Sequence, residues 1–189
     1  MSAPYRIAVL VGSLRKGSYN RKAALAMKAL APPEVEFEII EIGDLPLYDE
    51  DLEGKDKTAP EAWTRFREAV RGMDGVLFFT PEYNRGIPGG LKNAIDVGSR
   101  PYGKSAWSGK PGGVVSVSPS AIGGFGANHA LRQSMVFLDV PMMQQPEAYI
   151  GGAAKLFTDS GELASDDTKK FFTTIITAYA AWVALHVKK

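Results

Sequence analysis

Residues 7–20 read Ile-Ala-Val-Leu-Val-Gly-Ser-Leu-Arg-Lys-Gly-Ser-Tyr-Asn. An apolar run stops at Gly12, crosses a loop of hydroxyls, glycines and cations, and re-enters an alanine-rich pattern with helical spacing. A strand that ends on such a loop and turns into a helix is how parallel α/β proteins build a pocket for a phosphate. No Asp or Glu precedes Glu34, whereas Arg6, Arg15, Lys16, Arg21, Lys22 and Lys28 all do. The helix dipole favours carboxylates in a first turn. Their absence leaves that place to a negative charge brought from outside.

Outward from this stretch, strand-like and helix-like runs alternate. Residues 6–11 read as a strand and 19–31 as a helix, stopped by Pro32 and Pro33. A second strand spans 35–42, and a loop follows from Gly43 to about Ala59. Pro60 opens a helix whose stripe is Trp63, Phe66, Ala69 and Val70. Val76–Phe79 is the continuous apolar run of a strand covered on both faces. A helix from Pro88, a strand over 113–117 and a helix over 125–138 come next. A short fifth strand falls at 141–144 or 147–150, and the last helix runs over 167–186. Phe171, Ile175, Ala178, Trp182 and Leu185 are read as that helix's apolar face. With no repeat or linker, the pattern predicts one domain over 1–189. The fold class is α/β: a three-layer sandwich around a five-stranded parallel sheet of order 2-1-3-4-5.

The totals exclude several classes. The chain has 189 residues and a formal charge of +1, too balanced for a nucleic-acid binder. It has no cysteine, which removes disulfides, thiolate catalysis and thiolate-bound metal. There is no signal-peptide pattern and no run near the roughly 20 apolar residues of a membrane span. The expectation is a soluble cytoplasmic protein without nucleic-acid or membrane partners.

In a sheet of this order, ligands bind beyond the carboxyl ends of strands 1 and 3, where two of the most polar loops fall. In the first, Gly12 and Gly17 are read as turning backbone N–H groups toward a ligand, with Ser13 and Ser18 adding hydroxyls. Ser18 or Asn20 sits where an N-cap would, and a capping box fails because Arg21 stands where Glu or Gln belongs. Neither a Walker loop nor a dinucleotide fingerprint is present. The second loop, Pro81-Glu82-Tyr83-Asn84-Arg85-Gly86-Ile87-Pro88-Gly89-Gly90, can bring backbone groups to the edge of a flat heterocycle, with Tyr83 as apolar cover. Glu82 reads as a local cap or solvated carboxylate rather than a general base. A third, glycine-rich loop spans 116–126. His129 reads as a structural or interface group, His186 as a solvated helix end, and Trp107 as a site cover or a packing residue.

Three motifs then become specific. Gly12-Ser13-Leu14-Arg15 with Ser18 and Asn20, Thr80-Pro81-Glu82-Tyr83-Asn84, and Gly89-Gly90-Leu91-Lys92-Asn93-Ala94-Ile95-Asp96 resemble the NADPH-dependent FMN reductase family. Within it the chain is most similar to the bacterial chromate and quinone reductases. The resemblance implies a flavodoxin-like fold, bound FMN, NADPH or NADH as donor, and a homodimer or homotetramer. It gives Ser13, Arg15, Ser18 and Asn20 to the FMN phosphate, Pro81–Asn84 with Arg85 to the isoalloxazine, and Ser116 to the pocket wall. Gly12 and Leu14 belong to the same binding loop.

The implied reaction is NAD(P)H-dependent reduction of quinones, with chromate, other oxidised metals or azo compounds as secondary acceptors. The flavin holds the chemistry, so no catalytic side chain and no metal are expected. Arg85 and Arg100 are candidates for the phosphates of NAD(P)H or an anionic acceptor. A flavodoxin-type electron carrier is the alternative, but such carriers are usually strongly acidic. Residues 135–138 and 141–143 offer apolar surface for assembly, with Arg132, Asp139 and Glu147 as polar interface candidates.

Overall fold

The computed structural model describes residues 3–53, 58–158 and 160–187. Residues 54–57, inside the expected loop over 43–59, lie outside the described residues. β1 (Tyr5–Val11) leads into α1 (Tyr19–Ala29), followed by β2 (Val35–Ile39) and α2 (Glu61–Arg71). Then come β3 (Gly75–Thr80), α3 (Gly89–Gly98), β4 (Gly112–Val117), α4 (Phe125–Phe137), β5 (Ala148–Ile150) and α5 (Asp166–His186). The strands form one parallel sheet of order β2-β1-β3-β4-β5, as the alternation of elements required.

Burial follows position in the sheet. Every residue of β3 and β4 is buried, because helices cover both faces there. At the edge, β2 alternates, with Val35 and Phe37 inward and Glu36 and Glu38 outward. One core joins the sheet to α1 and α5 through Ile7, Val9, Met27, Phe79 and Phe172. The other joins it to α2, α3 and α4 through Leu10, Trp63, Phe78, Leu91 and Leu131. Trp107 belongs to this second core: it packs between Phe66 and Phe78 and donates from Nε1 to the Ile95 carbonyl at 2.9 Å. It packs and does not cover a site.

The structure shortens one strand, selects between two options for another, and changes the packed face of the last helix. β2 stops at Ile39, and the fifth strand is the later option, Ala148–Ile150. Met142, in the earlier option, makes only an isolated parallel bridge to Gly112. On α5 the packed side is Phe172, Ile175, Ile176, Tyr179 and Val183, while Phe171 and Leu185 are exposed. The helix is apolar on more than one side, and the sheet selects between them. A Cβ on Gly75 would lie 2.9 Å from the Tyr179 hydroxyl, and one on Gly113 2.9 Å from its ring. Those glycines make the room that Tyr179 fills, and its hydroxyl donates to the Pro111 carbonyl at 3.2 Å. Burial raises that phenol's pKa well above its ordinary value.

The register positions the site. Val11, the last residue of β1, pairs with Phe79 and Phe79 with Val115, so β3 runs one residue and β4 two residues beyond the end of β1. The three loops that leave them therefore meet at one edge.

Candidate functional site

The first wall is the start of α1. Ser18 is its N-cap: the hydroxyl accepts from the Arg21 N–H at 3.2 Å and the carbonyl from the Lys22 N–H at 3.0 Å. The Tyr19 and Asn20 N–H groups find no protein acceptor among the described residues, and the first turn holds no acid. An anion seated there would meet two free donors, the positive end of the helix dipole and the Ser18 hydroxyl hydrogen. Arg15 folds over the loop, donating to the Gly17 carbonyl at 2.6 Å with its guanidinium 5.2 Å above the Tyr19 ring.

Gly12 and Gly17 do not take the left-handed backbone that would turn the loop. Gly12 instead permits close approach, since a Cβ there would lie 2.9 Å from the Leu91 side chain and 3.3 Å from Pro81. That contact brings the second loop against the first.

The second wall is a hairpin. Tyr83 and Gly86 exchange both backbone hydrogen bonds, and Asn84 and Arg85 between them have φ of 51° and 64°. This is the type I′ pattern, which suits Asn at its first central position and Gly at its second. Arg85 occupies the glycine place in a left-handed conformation that costs about 1–2 kcal/mol for a side chain. Glu82 holds the hairpin. Its Oε1 accepts from Arg85 Nη1 at 2.9 Å, and its Oε2 accepts from the Ala127 N–H at 3.0 Å. Neither a local cap nor a solvated carboxylate, Glu82 caps α4, whose N-cap residue Gly124 has no side chain for the task.

These walls enclose a cavity of about 460 Å³. Ser13, Arg15, Tyr19 and Asn20 line one side, Pro81, Glu82 and Tyr83 another, and Val117, Ser118 and Pro119 the third. Asn20 is 3% exposed. Its Nδ2 donates to the Val117 carbonyl at 3.1 Å, while its Oδ1 is the one buried side-chain polar atom among the described residues without a partner.

Two expected residues stand elsewhere. Ser116 is fully buried and does not line the cavity: its hydroxyl donates to the Ala148 carbonyl at 3.3 Å and accepts from Asn128. One residue further along the strand, Val117 takes that wall. Arg100 lines a separate cavity of about 260 Å³ with Tyr48, Lys92, Ser134 and Phe137, and donates to Ser99 Oγ at 3.2 Å. Gly12, Leu14, Ser18, Asn84 and Arg85 adjoin the cavity without lining it: Leu14 is exposed and leans toward Gly43 and Gly90, Ser18 is buried as the α1 N-cap, and Asn84 and Arg85 form the hairpin's tip, where Arg85 pairs with Glu82. Tyr19 went unread, although an aromatic directly after the N-cap and beside Arg15 is a legible signal.

His129 lies against Phe125 and Tyr149. The Tyr149 hydroxyl donates to Glu147 at 2.9 Å, so His129 Nε2, 2.7 Å away, is the donor to Tyr149. Burial, then the bond to Glu147, pushes the Tyr149 phenol up to about 12. His186 is exposed at the end of α5, with Nδ1 2.8 Å from the Trp182 carbonyl.

The donor set at α1, the flat-edged hairpin and the orphaned Asn20 oxygen together fit a phosphate-tailed heterocycle such as FMN. The comparisons with known proteins agree with that chemistry. Residues 5–155 match the model of the NADPH-dependent FMN reductase family. The chain belongs to that family. It is 65% identical over 186 residues to a quinone reductase of Pseudomonas putida, covering 98% of each chain. A 2-hydroxy-1,4-benzoquinone reductase of a Burkholderia species is 44% identical, over 94% of this chain and 96% of its own. Among solved structures, a flavoenzyme NAD(P)H:(acceptor) oxidoreductase from Paracoccus denitrificans superposes with a TM-score of 0.89 at 40% identity, over 96% of this chain and 98% of that one.

Proposed function

We propose that this protein is an FMN-dependent NAD(P)H:quinone oxidoreductase. The observation that supports it best is the meeting, in one cavity, of a cationic helix start lacking acids with the Pro81–Gly86 hairpin. When bound, FMN supplies the redox chemistry, taking a hydride from the nicotinamide and returning electrons to the acceptor. The chain's own residues bind and orient. Ser13, Arg15, Ser18 and the free N–H groups of α1 hold the phosphate, Tyr83 gives apolar cover, and Glu82 fixes the hairpin to α4. No side chain is asked to act as acid, base or nucleophile.

Of the two arginines, Arg85 is the better placed for the phosphates of NAD(P)H or an anionic acceptor, since it is tied to the cavity through Glu82 and its side chain is largely exposed. Chromate, other oxidised metals and azo compounds belong to the reading as secondary acceptors. Self-association into a dimer or tetramer would use α4, where Val136 and Phe137 stand 79% and 78% exposed while Met135 is buried. A cytoplasmic location suits a cysteine-free chain in which no helix among the described residues is long and apolar enough to cross a membrane.

The purified, FMN-loaded protein should oxidise NADPH or NADH with a benzoquinone as the only other reactant. An electron carrier would need a separate reductase. No turnover under those conditions would contradict the enzyme reading.

A further inference from the structure

We infer that Tyr19 is a positioning residue: its ring holds the Arg15 guanidinium beside the start of α1, and so sets the preference for a phosphorylated flavin over an unphosphorylated one. The inference rests on the flavin reading of this cavity and adds to it a residue that acts through another. Tyr19 opens α1, and its side chain lines the cavity while packing against the core shared by the sheet, α1 and α5. The Arg15 guanidinium carbon lies 5.2 Å from the ring centroid, and Nη2 donates to the Gly17 carbonyl at 2.6 Å. The core fixes the ring, and the ring with one carbonyl fixes the cation.

Arg6, Arg21, Arg65, Arg67 and Arg85 each pair with a carboxylate, whereas Arg15 has no carboxylate partner among the described residues. Arg67 also lies over an aromatic ring, that of Trp63 at 5.5 Å, but it is 4% exposed and Glu53 meets its charge. Arg15 is exposed, and its charge is left for a ligand. A carboxylate holding Arg15 would have to be displaced by an incoming phosphate. A π face holds the cation without neutralising it. One of the guanidinium's five N–H groups goes to Gly17, and the other four have no acceptor among the described residues. An arginine loose in an exposed loop would lose rotamer freedom on binding, and one already seated on a ring loses less. Only a ligand with an anionic tail gains from that. Tyr19 therefore discriminates between ligands although its ring acts on the cation and not on the anion.

The test measures affinity by fluorescence titration of apoprotein at about pH 8, where the phosphate is a dianion. FMN and riboflavin are compared on wild type, Tyr19→Phe, Tyr19→Leu, Arg15→Ala and the Arg15→Ala, Tyr19→Leu double variant. Tyr19→Leu should weaken FMN about fivefold and leave riboflavin unchanged. Tyr19→Phe keeps the ring face and should bind both flavins as wild type does. On the Arg15→Ala background, Tyr19→Leu should cause no further loss of FMN, because the ring acts only through the arginine. Equal losses for the two flavins in Tyr19→Leu, no loss for either, or an undiminished effect on the Arg15→Ala background would each overturn the inference.

A second measurement keeps the shape of the side chain, should Tyr19→Leu fail to fold. Phenylalanines with one, two and three ring fluorines at position 19 withdraw negative charge from the ring face in steps. FMN affinity should fall along that series while riboflavin affinity stays level. A flat FMN series would overturn the inference. Wild type that takes up neither FMN nor riboflavin would instead bring down the flavin site itself, and this assignment with it.

Discussion

Arg15 and Arg85 place two cations near one cavity under different constraints. Arg15 is braced by the Gly17 carbonyl and the Tyr19 ring, so little freedom remains for it to lose when an anion arrives. A hydrogen bond to a charged group is worth about 1.5–3 kcal/mol, so Arg15→Ala should weaken FMN about ten- to a hundredfold, read by equilibrium titration. Arg85 sits in left-handed backbone that a glycine would occupy without strain. Arg85→Gly should therefore raise the stability to urea by about 1 kcal/mol while raising the KM for NADPH, a pairing expected where strain is kept at a functional position. That Ser13, Arg15 and an acid-free helix start would meet at one cavity was legible in the chain, because these residue types declare their chemistry locally. Asn20's orphaned oxygen was not, since it depends on a carbonyl of β4 almost a hundred residues away. Nor was the choice of Val117 over Ser116, which turns on the one-residue alternation of a strand.

At the scale of elements, Glu82 links the hairpin after β3 to the start of α4. Removing its carboxylate leaves the Ala127 N–H uncapped, so Glu82→Ala should lower unfolding stability by about 1–2 kcal/mol. Glu82→Gln, whose amide oxygen can still accept from Ala127, should recover most of that in urea denaturation. A second link, His129–Tyr149–Glu147, joins α4 to β5. Tyr149 is raised from the usual 10 to about 12, so the native state holds this proton more tightly than the unfolded chain. Its contribution is complete below pH 10 and is lost as pH rises through about 12. The melting temperature of wild type should fall across that window more steeply than that of Tyr149→Phe. Element order and type could be read from periodicity, but the buried side of α5 could not. Several apolar stripes share that helix, and the deciding features, Gly75 and Gly113, lie in strands distant in sequence.

For the whole molecule, alternation of strands and helices sufficed to order the sheet, because right-handed crossovers leave few ways to wind it. Sequence could not say how much of 135–138 stays outside the core. Met135 is buried, while Val136 and Phe137 turn outward on the same helix. Phe137→Asp should shift the protein to a smaller species in analytical ultracentrifugation, with FMN-loaded wild type larger than one chain. A wild type that sediments as a single chain would contradict assembly through α4.

The enzyme's defining property is a flavin that this protein itself reduces with a nicotinamide and reoxidises with a quinone. Anaerobic addition of NADPH to the FMN-loaded protein, followed by a benzoquinone, tests that directly in one cuvette. The yellow absorbance should bleach on the first addition and return in full on the second. A yellow band that NADPH and NADH both leave intact, or a protein that retains no flavin, would contradict it.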